Sequence, residues 1–273
     1  MLAIEPVVIR LGWIAIRWYG LAYCITLAVS YLIFRTMVRS GKLPLSMTRM
    51  RELLLCLSAG VIVGGRCGWW LLYHRNGYLP EPWYEVLAVW HGGMSFHGGL
   101  IGTLIAMLVW CHLRRVEWRP VMDAAALALP VGIGLVRMAN FANGELIGRV
   151  SSVPWAVIFP GEVNPRHPAQ LYEAVLAGPI LLACLVILRR WPRLMCGQTA
   201  ATFCILYGVM RFCVEFARNP DGQIGFLACG WVTMGQILSI ATTALGLYVW
   251  LISQRVQSCV QILNNAHHSS MKE

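Results

Sequence analysis

Long apolar runs with few charges are the feature that most constrains the fold of this chain. Each run holds about 18 to 24 residues, enough for a helix to cross the ~30 Å hydrocarbon layer of a membrane. The runs span roughly 11–34, 53–73, 94–113, 121–138, 171–188, 199–217 and 231–252. A composition of 58% hydrophobic and 12% charged residues also excludes an ordinary water-soluble domain. Because backbone groups in lipid need partners within their own segment, we predict an all-α polytopic membrane protein with about seven transmembrane helices.

The lysines and arginines between the runs predict the orientation of the chain in the membrane. Most of them fall in alternate connections and in the C-terminal tail, namely Arg35, Arg39, Lys42, Arg49, Arg51, Arg114, Arg115, Arg119, Arg189, Arg190, Arg193, Arg255 and Lys272. Cytoplasmic loops carry such an excess, so we predict a cytoplasmic C-terminus and an N-terminus on the outer side. The formal net charge of +10 is then a topology signal, and no nucleic-acid partner is expected.

The sequence shows none of the patterns expected of metal, nucleotide or acyl-serine chemistry. Its ten cysteines include no Cys-x-x-Cys pair and most lie inside apolar runs, so we interpret them as small core residues. It has neither a phosphate-cradling Gly-x-x-x-x-Gly-Lys loop nor a nucleophilic serine elbow. We therefore predict that the protein binds no metal and no cofactor.

The stretch from Arg137 to Arg149 is polar and charged where the preceding residues form a continuous apolar run. Its arginines, asparagines and glutamate would hold an anionic group at the level of lipid headgroups. Its two glycines are expected to end the helix and to let the backbone approach a ligand. The candidate binding residues here are Asn140, Asn143, Gly144, Glu145, Gly148 and Arg149.

A polar face is also predicted on the sixth run. Its members are Tyr207, Arg211, Glu215 and Arg218, which fall within about 80° of arc at 3.6 residues per turn. Arg211 and Glu215 can pair at i, i+4, which leaves a structural and a functional interpretation open. Arginines converging on one pocket favour a phosphate, because guanidinium groups match its oxygens and stay charged.

Two other segments bring polar residues to the ends of predicted helices. Arg17-Trp18-Tyr19-Gly20 is expected about two turns into the first helix, either as an interfacial anchor or with Tyr19 hydrogen-bonding a substrate. A second segment leads back into the membrane after a proline-rich, mainly non-helical outer segment over Val150–Gln170. Its polar residues either cap the helix or reach the site, and the candidates are Gln170, Tyr172 and Glu173.

Glycines predict two kinds of close approach in the second and third runs. Gly60, Gly64 and Gly68 recur every four residues, which predicts tight packing against another helix. Four glycines surround His97 in the sequence Gly-Gly-Met-Ser-Phe-His-Gly-Gly, which we interpret as room for a ligand beside the imidazole. A histidine there can take a proton from an attacking group. Arg66 is deep enough to need a partner, either a carboxylate or the substrate.

Together these motifs resemble the bacterial phosphatidylglycerol:prolipoprotein diacylglyceryl transferases, along the chain to about residue 240. The matching motifs are Trp-Tyr-Gly at 18–20, Gly-Gly-Arg at 64–66, Gly-Gly-Met-Ser-Phe-His-Gly-Gly-Leu at 92–100, Arg137 through Arg149, Arg-His-Pro-x-Gln-Leu-Tyr-Glu at 166–173, Tyr207 with Arg211 and Glu215, and Met-Gly-Gln at 234–236. The stretch from Arg137 to Arg149 is close to a signature of that family.

The resemblance implies a seven-helix protein of the bacterial inner membrane whose active site faces the periplasm. From the sequence we also predict one transmembrane domain over residues 1–254, with a periplasmic head insert at about 140–170, and a cytoplasmic tail over residues 255–273, for which disorder is one interpretation. The resemblance also implies the reaction. The diacylglyceryl group of phosphatidylglycerol moves to the lipobox cysteine thiol in the signal peptide of a prolipoprotein, which forms a thioether and releases glycerol 1-phosphate. The expected partners are these two substrates and membrane lipid.

The resemblance also distributes roles over the residues of this chain. His97 is the expected base for the cysteine thiol, because an ordinary thiol pKa of about 8.5 leaves that group mostly protonated. Arg137 and Arg211 are expected to hold the phosphate and to take up its charge as it leaves. The residues expected to bind substrate are Tyr19, Asn140, Asn143, Gly144, Glu145, Gly148, Arg149, Tyr207 and Glu215.

A transporter or flippase for an anionic phospholipid is the alternative function. Buried arginines and helix faces of small residues suit such a protein equally well. Two observations count against it, since no inverted repeat is visible between the halves of the sequence and the polar residues gather on one side of the predicted membrane.

Overall fold

The computed structural model is helical apart from one short β-hairpin and a few isolated bridges, within residues 7–11, 14–71, 83–88, 93–190, 194–220 and 225–270, which it describes. The strands are β1 (Val7–Leu11) and β2 (Ile14–Arg17). The helices are α1 (Trp18–Arg39), α2 (Met47–Trp69), a 3-10 helix (Trp83–Leu87), α3 (Phe96–Arg114), α4 (Trp118–Ala142), α5 (Ala169–Val175), a π-helical segment (Leu176–Ile180), α6 (Leu181–Arg190), α7 (Gln198–Glu215) and α8 (Met234–Ser270).

Six helical segments in the described part of the chain are long and apolar enough to cross a membrane. They are α1, α2, α3, α4, the combined segment Ala169–Arg190 and the first part of α8, Met234–Arg255. Helix α7 has 18 residues and is not among them, since its sequence includes several polar and charged residues. The predicted all-α polytopic membrane fold is confirmed, whereas the number of seven spans and the orientation of the termini stay predictions.

The first helix begins later than predicted. Helix α1 starts at Trp18, and the residues before it form an antiparallel hairpin in which Val7 pairs with Arg17. Tyr19 therefore lies in the first turn of α1, and the predicted position two turns into the helix is wrong. The physical reason is that a continuous apolar run can form either a helix or a strand. The hairpin is rich in valine and isoleucine, β-branched residues that favour strands.

Contacts between backbone positions divide the chain into two compact units. One unit comprises Met1–Ile33 and Met122–Glu273, and it includes the hairpin, most of α1 and α4 to α8. The other unit comprises Phe34–Val121 and includes α2 and α3. Each unit has its own pattern of helix packing.

In the unit Phe34–Val121, α2 and α3 pack through their glycines. A Cβ atom added at Gly60 would lie 2.8 Å from the carbonyl oxygen of Gly102, and one at Gly68 would lie 2.7 Å from the Cα of Gly98. These spacings leave no room for a side chain between the two backbones. The prediction that the glycine repeat marks tight packing against another helix is confirmed, and α3 is that helix.

The same packing corrects the interpretation of the glycines around His97. A Cβ atom at Gly98 would lie 2.9 Å from the Cα of Gly68, and one at Gly93 would lie 2.7 Å from Nε1 of Trp69. Residues of α2 already occupy both spaces, so Gly93 and Gly98 do not leave room for a ligand. For these two glycines the sequence argument was wrong, because the same residue type serves close helix packing and close ligand approach. Gly92 lies outside the described residues.

Arg66 on α2 has structural partners. The residue is buried, with 3% of its surface exposed. Its Nε donates to the carbonyl of Val86 at 3.3 Å and its Nη1 to that of Gly93 at 3.0 Å. The guanidinium also lies 4.4 Å from the ring centroid of Trp69, a cation–π distance. Arg66 therefore ties α2 to the 3-10 helix and to the segment before α3.

Small residues also mark helix contacts in the unit that contains α4 to α8. A Cβ atom at Gly134 of α4 would lie 3.2 Å from the Cα of Gly178, in the π-helical segment. Pro179 follows and cannot donate a backbone hydrogen bond, which explains why the predicted fifth helix is interrupted there. Gly246 of α8 lies against the carbonyl of Ala201 of α7. The last helix therefore packs closely against α7.

The N-terminus of α7 is capped from α4. Asp123 accepts a hydrogen bond from Gly197 N at 2.8 Å and another from Ala200 N at 2.9 Å, and only 6% of its surface is exposed. The carboxylate satisfies N–H groups that lack intrahelical partners and lies at the positive end of the helix dipole. It replaces a local capping side chain, since Gly197 at the cap position has none.

Helix α7 ends earlier than predicted, at Glu215. Phe216 and Ala217 form a turn, so Arg218 lies beyond the helix and forms a bridge with Gly148. The prediction that Arg218 belongs to the polar face of this helix is wrong, because the turn takes it out of helical register. The segment between α4 and α5 is non-helical, as predicted, and this bridge joins it to the chain that follows α7.

Candidate functional site

One continuous polar network in the unit that contains α4 to α8 joins most of the predicted site residues. The network includes Tyr19, Arg137, Asn140, Asn143, Glu145, Arg211 and Glu215, and it continues through Glu173 and Thr233. Its members come from α1, α4, α5, α7 and the start of α8. The fold therefore brings together groups that are far apart along the chain.

Glu145 is the acceptor at one end of the network. Its Oε2 accepts a hydrogen bond from the Tyr19 hydroxyl and one at 3.2 Å from Asn140 Nδ2. Its Oε1 accepts a hydrogen bond at 3.1 Å from Asn143 Nδ2. Because an ionised carboxylate only accepts, donors from α1 and from the end of α4 converge on it. Glu145 thus holds the first turn of α1 against the end of α4.

Arg137 connects this end of the network to a second carboxylate. Its Nη1 donates to Asn140 Oδ1 at 3.0 Å, and its Nε lies 2.9 Å from Glu173 Oε1. The same oxygen of Glu173 lies 3.6 Å from Nε of Arg211. Only 3% of the Glu173 side chain is exposed. A carboxylate buried to that extent needs cationic partners, and here two arginines on different helices share it.

Arg211 and Glu215 form the other end of the network. Arg211 Nη1 forms an ion pair with Glu215 Oε2, which confirms the pairing predicted from their i, i+4 spacing on α7. Glu215 Oε1 accepts a hydrogen bond from the Thr233 hydroxyl at 2.8 Å. The Arg211 and Glu215 side chains are 12% and 5% exposed, so water screens this pair little.

Both guanidinium groups of the network keep donors that no described residue uses. In the described part of the chain, Arg137 and Arg211 make their contacts through Nε and Nη1, and Nη2 donates to no protein acceptor. A guanidinium has five N–H donors, two of them on Nη2. The Arg137 side chain is 20% exposed, so this part of the network is accessible from outside the protein. Carboxylates orient the two arginines, and the remaining donors suit an oxyanion.

Arg149 adds positive charge next to this network. Its Nε donates to the carbonyl of Arg218 at 2.9 Å, and its guanidinium lies 5.3 Å from the ring centroid of Phe226. Its Nη2 is buried and makes no hydrogen bond with the described residues. A buried unsatisfied donor of this kind is rare and is stabilised when an acceptor binds. The network itself contains more carboxylates than arginines, so Arg149 adds a positive charge where the network has none to spare.

The two glycines of the central stretch have different roles. Gly144 has a φ of +69°, two residues after α4 ends at Ala142, so its predicted role in ending the helix is confirmed. A Cβ atom at Gly148 would lie 2.7 Å from the carbonyl oxygen of Ala217 and 2.7 Å from the Cβ of His167. The chain itself occupies the space at Gly148, so the close approach there is to the protein and the predicted approach to a ligand is wrong.

Tyr207 lies on the same helix as Arg211, one turn earlier. Its ring stacks on that of Phe203, with the centroids 5.6 Å apart. It also interacts electrostatically with Glu173, Arg137 and Arg211. The structure therefore brings Tyr207 close to the two arginines, as the shared helix face predicted.

His97 lies in the other unit, Phe34–Val121. It is in the first turn of α3, where Ser95 caps the helix by accepting a hydrogen bond from Gly98 N at 3.2 Å. Its side chain is exposed and its ring lies edge to face with that of Phe96, with centroids 5.5 Å apart. A role for His97 as a base stays a prediction.

Of the three candidates at the start of α5, two reach the network. Glu173 joins the two arginines, and Gln170 Nε2 donates to the backbone carbonyl of Glu145 at 2.6 Å. Tyr172 instead accepts a hydrogen bond from Trp155 Nε1 at 2.6 Å and lies 3.1 Å from His167 Nδ1. Helix capping does not explain these residues, because the position before α5 is a proline without a capping side chain.

Sequence reasoning missed Thr233 altogether. The signal that could have found it is the spacing Thr233-x-x-Gln236, which is a capping box. The structure has both of its bonds: Thr233 N donates to Gln236 Oε1 at 3.0 Å, and Gln236 N donates to Thr233 Oγ1 at 3.3 Å. A capping box locates the start of a helix but does not predict which side chain of another helix lies beside it.

Two further features bear on the predicted chemistry. Cys24, Cys56, Cys67, Cys111, Cys184, Cys196, Cys204, Cys213 and Cys229, the cysteines that the structure describes, are free. Among the described residues, no group of three or more His, Cys, Asp or Glu side chains is arranged to hold a metal ion. The candidate site is therefore defined by arginines, carboxylates and amides.

Fold and site together define a class: a multi-pass membrane protein with a buried arginine–carboxylate network suited to an anionic lipid group. The sequence model of the family described as prolipoprotein diacylglyceryl transferase matches residues 6–252 of this chain. The chain belongs to the prolipoprotein diacylglyceryl transferase family, as the sequence motifs predicted.

Similar proteins carry the name of that activity. A phosphatidylglycerol–prolipoprotein diacylglyceryl transferase of Geobacter sulfurreducens is 45% identical over 253 residues, which cover 92% of this chain and 96% of the relative. Proteins of the same name from Brucella canis and Brucella ovis are 42% identical over 255 residues, with 90% of each chain covered. The similarity therefore extends over nearly the full length of these relatives.

Proposed function

We propose that this protein transfers the diacylglyceryl group of phosphatidylglycerol to the lipobox cysteine of a prolipoprotein, the first step of bacterial lipoprotein maturation. The observation that carries the proposal is the pair of arginines, Arg137 and Arg211, held by one buried carboxylate, Glu173, and each with an Nη2 group that no described residue uses. Membership of the transferase family and the names of the similar proteins support the same activity.

The two arginines suit the charge change in this reaction. The thiolate sulfur of the peptide attacks the glyceryl carbon, the bond between that carbon and the phosphate oxygen breaks, and glycerol 1-phosphate leaves. A phosphodiester with one negative charge thus becomes a phosphomonoester with up to two. Guanidinium donors that are already oriented can take up the added charge without reorganising, which lowers the barrier. Glu173 supplies that orientation for Arg137 and Arg211.

The other end of the network is proposed to bind the headgroup. Phosphatidylglycerol carries a glycerol with two hydroxyl groups next to the phosphate, and hydroxyl groups pair with carboxylate and amide oxygens. Glu145, Asn140 and Asn143 offer such atoms on one side of Arg137, and the Asn143 Oδ1 atom is buried without a hydrogen bond in the described part of the chain. Tyr19 and Tyr207 are proposed to add further hydrogen bonds.

His97 is proposed as the base that takes the thiol proton. The proposal rests on its chemistry and on the family motif, because its glycine neighbours are explained by helix packing. In a His97→Asn variant, the acid limb of the pH profile of kcat/KM should disappear if His97 acts as the base, since a histidine must be neutral to accept a proton. Retention of that limb would assign the proton to another group.

The location of the protein is also proposed. We infer a protein of the bacterial inner membrane with seven spans, a periplasmic N-terminus and an active site on the periplasmic side. Alternating basic connections support this orientation, and α7 at 18 residues would be the seventh span, about 27 Å long. The prolipoprotein signal peptide would then reach the site from the membrane. Cysteine accessibility to a membrane-impermeant reagent in whole cells tests the orientation.

An assay with purified protein tests the activity. The protein in detergent is mixed with phosphatidylglycerol and a synthetic lipobox peptide, and mass spectrometry measures addition of the diacylglyceryl group to the cysteine. Arg137→Ala should lower kcat/KM by about 100-fold or more, because a charge that stabilises the leaving phosphate is lost. Arg114→Ala is the matched control, since Arg114 pairs with Glu52 at the surface and its side chain is 50% exposed.

The outcomes separate the transferase from the alternative. Wild type that modifies the peptide, with Arg137→Ala inactive and Arg114→Ala unchanged, supports the transferase and the role of Arg137. Folded wild type that binds phosphatidylglycerol but leaves the thiol unmodified contradicts the transferase. In that case, movement of labelled phosphatidylglycerol across vesicle membranes would identify a flippase.

A further inference from the structure

Glu215 occupies an unusual position in the network, because it is the last residue of α7 and lies beside the first turn of α8. One carboxylate oxygen pairs with Arg211 and the other accepts the Thr233 hydrogen bond at 2.8 Å. Each oxygen of this buried carboxylate therefore has its own partner, Arg211 for one and Thr233 for the other. Its orientation determines how Arg211 is held, and Thr233 in turn determines that orientation.

Thr233 is itself fixed by the start of α8. Its hydroxyl accepts a hydrogen bond from Gln236 N at 3.3 Å, while its backbone N–H donates to Gln236 Oε1 at 3.0 Å. A threonine hydroxyl has a single proton. The Thr233 hydroxyl oxygen accepts the hydrogen bond from Gln236 N, and its proton is donated to Glu215. The capping box thus makes Thr233 a donor of fixed direction, and only 3% of its surface is exposed.

Gly235 allows this arrangement. A Cβ atom at this position would lie 2.5 Å from Glu215 Oε1 and 2.7 Å from its Cδ. The carboxylate therefore lies directly against the backbone of the first turn of α8, where unpaired N–H groups make the helix end electropositive. Any larger residue at 235 would displace the carboxylate. The Thr-Met-Gly-Gln sequence at 233–236 combines the donor, the close approach and the cap.

We propose that Thr233 is a positioning residue of the transfer reaction, which acts through Glu215 on the guanidinium of Arg211. This inference rests on the proposed function, because it assigns Arg211 a role in stabilising the leaving phosphate. Loss of the Thr233 hydroxyl frees one oxygen of Glu215, so the carboxylate turns and the pair with Arg211 loses its geometry. The misaligned Arg211 donor then stabilises the leaving phosphate less well. As a result, kcat falls, while the binding of phosphatidylglycerol changes less.

The test compares Thr233→Val with Thr233→Ser in the purified full-length protein. Valine keeps the shape of threonine and removes the hydroxyl, whereas serine keeps the hydroxyl. We expect Thr233→Val to lower kcat about 10- to 100-fold, as for loss of a hydrogen bond to a charged group. The KM for phosphatidylglycerol should change less than about 3-fold in the same experiment. Thr233→Ser should restore kcat to within about 3-fold of wild type.

Two controls separate positioning from helix stability. Thr242→Val removes a hydroxyl that bonds only within α8, to the carbonyl of Leu238 at 2.7 Å, and should leave kcat unchanged. Gln236→Met removes the side-chain half of the capping box and leaves the Thr233 hydroxyl in place. It should lower the unfolding temperature without the loss of kcat. Equal losses of kcat in Gln236→Met and Thr233→Val would show that Thr233 only caps α8, and would overturn the proposal.

A second variant covers the case in which Thr233→Val does not fold. Gly235→Ala keeps the Thr233 hydroxyl and pushes the carboxylate of Glu215 away from α8, so it should lower kcat in the same way. Wild-type kcat in a folded Gly235→Ala or Thr233→Val protein overturns the proposal while the transferase function stands. A folded wild type that does not modify the lipobox peptide overturns the proposed function, and the positioning role with it.

Discussion

Helices are held together by different means in the two units of the molecule. In Phe34–Val121, α2 and α3 meet glycine against glycine, with no room for a side chain. In the other unit, α4, α5 and α7 are joined through Glu173, which binds an arginine from each of two helices. In lipid there is little hydrophobic gain from bringing helices together, so close backbone packing and polar pairing remain. Glycine packing leaves no space between α2 and α3, whereas the ion pairs of Glu173 leave arginine N–H donors available for a ligand.

This difference teaches how to interpret small and charged residues in a membrane sequence. Glycines next to His97 suggested a binding site, but they serve the contact between two helices. The pairing of Arg211 with Glu215 left a structural and a functional interpretation open, and the structure shows that Arg137 and Arg211 each keep an Nη2 group that no described residue binds. We therefore expect substitutions at the glycine contact between α2 and α3 to change stability, and substitutions in the network to change activity as well.

The largest effect is expected for Glu173→Ala. Two arginines would lose a shared carboxylate that is 3% exposed, and removal of one partner from a buried pair costs about 3–5 kcal/mol of unfolding free energy. Activity in the lipidation assay should fall by about 100-fold or more, because both guanidiniums lose their orientation. Glu162→Ala is the control, since that side chain is 27% exposed and pairs with Arg166 within one segment. If the Glu173→Ala variant kept activity within a few-fold of wild type, the expected difference between the two units would be contradicted.

A smaller effect, on stability alone, is expected for Gly98→Val. The new side chain would meet the backbone of α2, and overpacking of this kind costs about 1–3 kcal/mol. Unfolding in detergent should show the loss, while the specific activity of the folded fraction stays near that of wild type. Gly99→Ala is the matched control, because a Cβ atom there would make an ordinary contact at 3.5 Å. A loss of specific activity in folded Gly98→Val would mean that the contact between α2 and α3 also positions His97, the neighbouring residue on α3.

Asp123→Ala should lower the unfolding free energy by about 1–2 kcal/mol, as for loss of a helix N-cap. The carboxylate accepts two backbone N–H groups at the start of α7, at the end away from Arg211. Asp123→Asn should recover part of the loss, since one oxygen remains as an acceptor. Thermal unfolding followed by circular dichroism measures both variants. If Asp123→Ala instead abolished activity at full stability, the network would extend further along α7 than the contacts indicate.

The smallest effect is expected for Glu52→Gln in the unit that contains α2 and α3. Glu52 pairs with Arg114 at 2.9 Å, but the two side chains are 39% and 50% exposed. Solvent screens such a pair, so the unfolding free energy should change by less than about 1 kcal/mol. The same unfolding experiment in low and high salt sharpens the comparison, because the buried Glu173 pairs should respond much less to salt than this exposed pair.

Much of the molecule could be predicted from local patterns. Hydropathy over windows of about 20 residues located the membrane helices, because length and apolarity are properties of each segment alone. The i, i+4 spacing of Arg211 and Glu215 predicted their pair, because one helix contains both residues. Motifs along the chain predicted the family. Each of these predictions depends on residues that are close in sequence.

The tertiary structure decided what depends on contacts between segments. Glu173 was one of three polar candidates at the start of a helix, and only the packing of α4, α5 and α7 made it the shared partner of two arginines. The glycines near His97 acquired their role when α2 occupied the space beside them. Thr233 gained a partner because the end of α7 lies against the start of α8.

Sequence by itself therefore determined the class of fold, the approximate positions of the long apolar helices and the family of this protein, since hydropathy, spacing and motifs are properties of the linear sequence. Which charged groups of different helices bind each other, and which helix each glycine contacts, was decided by tertiary structure. The physical reason is that an ion pair or a close contact between helices depends on distances of a few ångströms between distant residues. Those distances are set by the packing of all the helices in a unit, which no single segment encodes.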